Sequence, residues 1–165
     1  MNKEQTDAWF SHEIESMSDT LFRVAFSILR NYTDCEDAVQ NTILKAYQNL
    51  DTLKVRTYFR TWTVRILKNE CFAILKRQKM TVPLSEQTDA DYEIEIPDLD
   101  LNRAFDTLSP EERLTITLYY YEGYKTAEIA KLTDVSNSTV RNRLSRARAA
   151  LKEKLTKRSL NYEVL

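Results

Sequence analysis

Residues 126–155 read TAEIAKLTDVSNSTVRNRLSRARAALKEKL: a helix, a tight turn and a longer basic helix. Thr126 is placed to cap a short helix carrying Ile129, Ala130 and Leu132, Thr133-Asp134-Val135 interrupts it, and Ser136 caps the next one. The pattern is a helix-turn-helix. On the second helix Val140, Leu144, Ala147, Leu151 and Leu155 recur at helical spacing and are expected to face a core. At about 100° per residue, Ser138, Asn142, Ser145 and Ala149 then project the opposite way, with Arg141 and Arg148 on one flank and Arg143 and Arg146 on the other. A small polar centre edged by cations suits a DNA major groove, the middle residues reading base edges and the guanidiniums reaching phosphate or guanine. A solvated basic helix would carry the same arginines. The capped helix and turn in front of it supply docking geometry and favour DNA.

Outward from this stretch, charge comes in blocks. The formal net charge is −1, yet residues 54–80 carry eight Lys and Arg against one Asp or Glu, and residues 140–158 repeat those numbers. Between them, residues 81–102 (TVPLSEQTDADYEIEIPDLDLN) carry seven acidic residues, no Lys or Arg, and both Pro83 and Pro97. That is the composition of a linker, whose default role is a solvated, self-repelling tether; its acidity also suits it to imitate a nucleic-acid backbone inside a basic channel of a partner. Two separated basic faces point to two contacts on nucleic acid.

A single glycine and three prolines in 165 residues favour helices over strands and hairpins. The expected fold is all-α, two small helical domains joined by an acidic linker: residues 1–80, a linker over 81–100, and a helix-turn-helix domain over 101–165. There is no apolar run long enough to span a bilayer and no basic-then-apolar N-terminal signal, so a cytoplasmic protein without direct membrane insertion is expected. Cys35 and Cys71 are far apart and His12 is the lone histidine, which argues against structural zinc, a disulfide framework or a Cys/His nucleophile. Buried thiols are expected, with no metal, cofactor or catalytic site; neither a paired-carboxylate pattern nor a glycine-rich phosphate loop suggests an enzyme.

Along the first domain the pattern predicts a short helix over Thr6–Glu15, then one from Ser18 or Asp19 with Leu21, Phe22, Val24, Ala25, Ile28 and Leu29 as its apolar stripe, ending at Asn31. Thr33 and Glu36 read as a capping box for a third helix, with Ala38, Val39, Thr42, Ile43, Ala46, Tyr47 and Leu50 at spacings of three and four. Its acidic start, Asp34, Glu36 and Asp37, suits the helix dipole as well as a partner. A fourth helix from near Thr57 carries Phe59, Trp62, Ile66, Cys71 and Ile74 among many cations. Trp62 reads as core before it reads as a DNA-stacking ring. Lys54, Arg56, Arg60 and Arg65 crowd one loop and helix, an arrangement that repels itself unless an anion faces it. In the second domain a helix is expected over Leu101–Leu108. Ser109-Pro110-Glu111-Glu112 then gives cap, N1 proline and box glutamate for a helix through Leu114, Ile116, Leu118, Tyr120 and Tyr121 to Gly123, a candidate left-handed C-cap. The Tyr119-Tyr120-Tyr121 run reads as core and rim packing rather than a stacking platform.

Over residues 8–156 this arrangement resembles the extracytoplasmic-function (ECF) sigma factors of bacterial RNA polymerase. DCEDAVQNTILKAY (34–47) is similar to that family's region 2.2; TYFRTWTVRILKNECFAIL (57–75), with Trp62, Arg65, Ile66 and Asn69 in place, resembles regions 2.3 and 2.4; and LSPEERLTITLYYYEGYKTAEIAKLTDVSNSTVRNRLSRARAALKEKL (108–155) resembles region 4. The chain departs from the family's usual residues at Asn41 (Glu), Ile43 (Phe), Ala73 (Asp) and Asp134 (Gly).

The resemblance implies a transcription initiation factor that directs core polymerase to promoters. The third helix would dock on the polymerase β′ coiled coil through Gln40 and Asn41, with Asp34, Glu36 and Asp37 supplying complementary charge. The loop Leu50–Arg56 and the helix after it would hold and melt the −10 element: Lys54, Arg56, Tyr58, Arg60, Trp62 and Arg65 along the strand, with Asn69 and loop atoms receiving an extruded base. The helix-turn-helix would read the −35 element, with Ser138, Arg141, Asn142, Ser145 and Arg146 at or near bases and Arg143 and Arg148 on phosphates. Its other face would meet the β flap, and the acidic linker would thread the channel that later carries RNA. An anti-sigma partner, often membrane-anchored in the family, is also implied. A stand-alone helix-turn-helix regulator would need a palindromic site and no polymerase; a helical adaptor would bind acidic protein surfaces and show no steep salt-dependent DNA binding.

Overall fold

The computed structural model describes residues 2–81 and 99–163. The chain divides into two compact units, Met1–Glu86 and Gln87–Leu165. Among the described residues every regular element is helical, and none of these helices is long and apolar enough to cross a membrane. Most of the acidic stretch, with Pro83 and Pro97, lies outside the described residues. Residues 99 and 100, expected in the linker, open a helix two residues before the start expected at Leu101.

The N-terminal unit contains α1 (Lys3–Ser16), α2 (Ser18–Leu29), α3 (Tyr32–Gln48) and α4 (Phe59–Thr81). Helix α1 starts earlier than expected because Asn2 caps it: Asn2 Oδ1 accepts from the Gln5 N–H at 2.8 Å, and Gln5 Oε1 accepts from the Asn2 N–H at 3.1 Å. The cap of α3 also differs from expectation. Arg30 takes the left-handed conformation at φ 54° and closes α2, so the chain re-enters a helix after one extended residue, Asn31. Asn31 Oδ1 accepts from the Asp34 N–H at 2.9 Å, leaving Thr33 and Glu36 as exposed residues inside the helix rather than a capping box.

Helices α2, α3 and α4 pack on one another, and α1 lies against α2. The face α3 turns inward is made of small residues, Cys35, Ala38, Thr42 and Ala46, all buried, which lets α4 come close. Hydrogen bonds from Gln78 to Asp34 and from Lys45 to Glu70 pair the two helices in opposite order, so they run antiparallel. Because α4 must cover both α2 and α3, its buried face is wider than the expected stripe. Phe59, Thr63, Val64, Leu67, Cys71 and Ile74 are buried, while Trp62 and Ile66 sit half-buried at the edge. The buried hydroxyls bond within their own helices, Thr42 to the Ala38 carbonyl at 2.7 Å and Thr63 to the Phe59 carbonyl at 2.8 Å, so neither costs an unmet polar group. Cys35 and Cys71 are free thiols in this core, as expected. Burial, with Asp34 nearby, pushes Cys35 up from its ordinary 9.0 to about 12. Burial raises Cys71 as well, followed by Cys35 and Glu70. Both act as small apolar fillers at neutral pH.

The C-terminal unit contains α5 (Leu99–Asp106), α6 (Pro110–Ile116), α7 (Thr126–Thr133) and α8 (Asn137–Glu163). Helices α5, α6 and α7 all pack on α8. The box at Ser109 and Glu112 forms as expected, with reciprocal hydrogen bonds of 3.1 and 3.2 Å behind Pro110. All six residues from Arg113 to Leu118 are buried, Arg113 included; its Nη1 donates to the Leu108 carbonyl at 2.6 Å and ties α6 to the loop that follows α5. The helix then widens. Thr117–Tyr121 forms a π turn, with the Glu122 N–H reaching the Thr117 carbonyl five residues back at 3.1 Å. The extra residue turns Tyr120 and Tyr121 out of the expected core stripe to 56% and 59% exposure. Gly123 follows at φ 72°; a Cβ there meets nothing within 4 Å, so the backbone conformation and not space selects glycine.

Phe59 is buried with Trp9, Phe10 and Trp62 around it, at ring-centroid distances of 5.0, 5.7 and 6.0 Å. Phe59→Ala is expected to cost the N-terminal unit about 3–5 kcal/mol. Both tryptophans of the chain adjoin that ring, so tryptophan fluorescence during denaturant titration reports this unit; an unmoved midpoint contradicts the assignment.

Candidate nucleic-acid interfaces

In the C-terminal unit the turn is built by the residues expected to build it, with one exchange. Helix α7 is entered at Lys125, whose N–H donates to Glu128 Oε2 at 2.7 Å, and Thr126 is the first helical residue rather than the cap. The Glu128 N–H, which a capping hydroxyl would otherwise take, is bonded to the Lys125 carbonyl at 3.0 Å instead. Asp134 takes the left-handed conformation at φ 58° and ψ 40° and bonds back to the Ala130 carbonyl. Ser136 Oγ accepts from the Thr139 N–H at 3.1 Å and starts α8.

Ile129, Ala130 and Leu132 of α7 and Val140, Leu144 and Ala147 of α8 are buried. Leu151 is only half-buried and Leu155 is exposed, because α8 outruns the helices that cover it. With Val140, Leu144 and Ala147 inward, Ser138, Arg141, Asn142, Ser145, Arg146 and Arg148 are exposed together; Arg143 is half-buried at the flank. Two of these side chains are already engaged. The Ser138 hydroxyl shares the cap network with Ser136 at 3.0 Å. Arg148 Nε donates to Tyr120 Oη at 2.6 Å, and its guanidinium lies 5.6 Å from the Tyr119 ring centre and 5.5 Å from that of Tyr120.

In the N-terminal unit two short 3-10 turns, Leu50–Thr52 and Arg56–Tyr58, join α3 to α4. The first is held to the end of α3 by Asn49 Nδ2, which donates to the Lys45 carbonyl at 2.8 Å, and by Thr52 Oγ1, which donates to the Asn49 carbonyl at 2.7 Å. Lys54, Arg56 and Tyr58 are exposed, Tyr58 at 65%. Arg56 stacks over Trp9 at 4.3 Å, and Trp9 meets Phe59 edge-on, so α1 and the head of α4 both support this loop. Arg60 Nη2 donates to Thr20 Oγ1 at 2.8 Å. Trp62, Arg65 and Asn69 follow one helical stripe of α4, about 10 Å long at the usual rise, with Arg65 and Asn69 exposed and Trp62 half-buried.

A different surface lies along α3. Glu36, Asp37, Gln40 and Asn41 are exposed in one strip. Asp34 stands apart from them, half-buried and accepting from Gln78 Nε2 at 2.8 Å. Leu44, not singled out in the sequence, joins the strip one turn beyond Gln40 and is 55% exposed. Its only signal was an apolar residue out of phase with the helix's buried stripe. Tyr47, expected in that stripe, is also exposed; it leans edge-on against Phe10 at 5.3 Å and donates to Asp7 Oδ1 at 2.7 Å.

Comparison with known proteins follows the same division. Residues 14–81 match the family model for Sigma-70 region 2, and residues 98–151 match that for Sigma-70, region 4. The RNA polymerase sigma factor SigV of Bacillus subtilis is 30% identical over 163 residues, covering 96% of this chain and 98% of that protein. The ECF RNA polymerase sigma factor SigM of Mycobacterium tuberculosis is 30% identical over 136 residues, covering 79% of this chain and 69% of that protein. Among solved structures, the sigma factor RpoE of Bartonella quintana, crystallised with the anti-sigma factor NepR, shares the fold at a TM-score of 0.73 and 23% identity, covering 89% of this chain and 96% of that one. CnrH, in complex with the cytosolic domain of CnrY, does so at a TM-score of 0.65 and 24% identity, covering 90% and 88%. Both sigma regions occur in order on one chain, an arrangement that does not favour a stand-alone regulator. The chain belongs to the ECF RNA polymerase sigma factors, the transcription initiation factors that direct core polymerase to promoters.

Proposed function

We propose that the two units divide the promoter between them, the N-terminal unit taking the polymerase and the −10 element and the C-terminal unit the −35 element, with the acidic stretch as linker. The observation that carries this reading is the pair of cation-bearing faces, one on each unit, each backed by a buried helix stripe. On α8 the base-reading set is Asn142, Ser145 and Arg146 with Arg141 and Ser138, and Arg143 and Arg148 bind phosphate. On the first unit Lys54, Arg56, Tyr58, Arg60 and Arg65 follow the strand, Trp62 borders it, and Asn69 receives a base that leaves the stack only when the duplex melts. Glu36, Asp37, Gln40 and Asn41 meet the β′ coiled coil, with Leu44 as the apolar centre of that contact and Asp34 a lesser part of it because Gln78 already bonds its carboxylate. The far side of the C-terminal unit meets the β flap.

In this reading the chain performs no bond chemistry of its own and works in the cytoplasm. An anti-sigma factor holds it inactive, at the membrane where that partner is anchored. The sigma factor RpoE, solved with the anti-sigma factor NepR, and CnrH, solved with the cytosolic domain of CnrY, support this extension.

Run-off transcription with purified chain and core polymerase tests the whole: promoter-dependent transcripts are expected only when both are present, and binding to DNA without polymerase at a palindromic site overturns it. Asn69→Ala is expected to impair −10 discrimination or melting while −35 binding persists; permanganate reactivity of the −10 bases reads it. Arg146→Ala is expected to cost about 1–3 kcal/mol and to relax preference at one −35 position; an equal loss on every sequence reassigns it to phosphate.

A further inference from the structure

Arg148 differs from the other arginines of the α8 face. Arg141, Arg143 and Arg146 have no described side-chain anchor, whereas Arg148 has a hydrogen bond to Tyr120 at 2.6 Å and two aromatic faces beside its guanidinium. The anchor is itself constructed. Tyr119 and Tyr120 are neighbours in sequence, yet their rings meet edge-on at 4.9 Å, and the π turn over Thr117–Tyr121 carries Tyr120 out to 56% exposure. An exposed, ordered tyrosine at a widened turn calls for an explanation beyond core packing.

We propose that Tyr120 is a positioning residue for −35 binding: it orients the Arg148 guanidinium toward the DNA backbone, with Tyr119 as backing. The inference rests on the −35 reading of α8 given above. The chemistry of the anchor is what favours it. A carboxylate in the place of Tyr120 would hold the arginine equally well but would cancel its charge, and a neutralised guanidinium has little attraction left for phosphate. A phenol oxygen and two ring faces hold the same group and leave its full positive charge. Nε is occupied, so the N–H groups on the two Nη atoms remain as the fork presented to an anion. Arg148 also lies on the Arg141 flank of the face, at the edge of the recognition surface rather than its centre, where backbone contacts belong.

The test uses the chain assembled with core polymerase, titrated at several salt concentrations against two templates that share a −10 element, one with and one without the −35 element of a promoter found by run-off transcription. Tyr120→Phe keeps the ring and removes the acceptor. It is expected to weaken −35-dependent binding about two- to tenfold, with no effect on the template lacking the element. Arg148→Ala is expected to weaken it at least as much and to lower the slope of log affinity against log salt by about one. In the double variant the two losses do not add. A Tyr120→Phe loss that persists undiminished beside Arg148→Ala, or no loss at all, overturns the proposal. Asn142→Ala separates the two readings: if it weakens −35 binding and Arg148→Ala does not, the Tyr120 inference alone fails, whereas no effect from either variant removes the −35 assignment beneath it.

Discussion

Burial of one stripe of a helix fixes the rotation of that helix about its axis, and in both units this constraint aims the cations. On α8, Val140, Leu144 and Ala147 are buried against the preceding helices. Each large apolar side chain so placed contributes about 1.5–3 kcal/mol, while an exposed charge pair contributes about 0–1 kcal/mol. The apolar stripe therefore decides orientation, and the arginines take the face that remains. A rotation of one residue would bring a guanidinium into the core without a partner. Helix α4 follows the same rule, its buried face set by the two helices it covers, α2 and α3.

Three of these cations make contacts with uncharged groups. Arg56 stacks on Trp9, Arg60 bonds the Thr20 hydroxyl, and Arg148 bonds the Tyr120 phenol. Each of these contacts restricts a long, rotamer-rich side chain without removing its charge, which is the condition a phosphate-binding surface must meet. The aromatic residues of α1 and of the π turn thus serve the outer faces as much as the cores. Trp9 illustrates this: one side meets Phe59 within the unit and the other carries Arg56 at the loop.

Helix existence, the turn and the cationic faces were legible because each depends on local spacing. Asp134 and Ser136 could be assigned to the turn, and Ser109 with Glu112 to a capping box, from neighbours three residues apart. Legibility failed where a choice depended on the next element. Thr33 and Thr126 are good capping residues passed over for Asn31 and Lys125: the left-handed Arg30 fixed where α3 could begin, and the Lys125 carbonyl met the Glu128 N–H that a capping hydroxyl would have taken. Trp62 and Ile66 fit a helical stripe on paper, but α4 turned Val64 and Leu67 inward once the small face of α3 came close. The tyrosine run followed an α-helical period that the backbone abandons at Thr117.

What the sequence by itself determined is the class of the protein: helices from apolar spacing, the turn from a residue tolerant of the left-handed conformation, two cationic faces from charge segregation, and the family from motifs in order. Only the tertiary structure decided which side chains on those faces stand ready and which are engaged. It put Leu44 in the open, tied Asp34 to Gln78, and brought Tyr120 to Arg148 across 28 positions of sequence. Periodicity is a property of one helix and can be read along the chain, whereas a contact between helices depends on their relative rotation and approach, which packing sets.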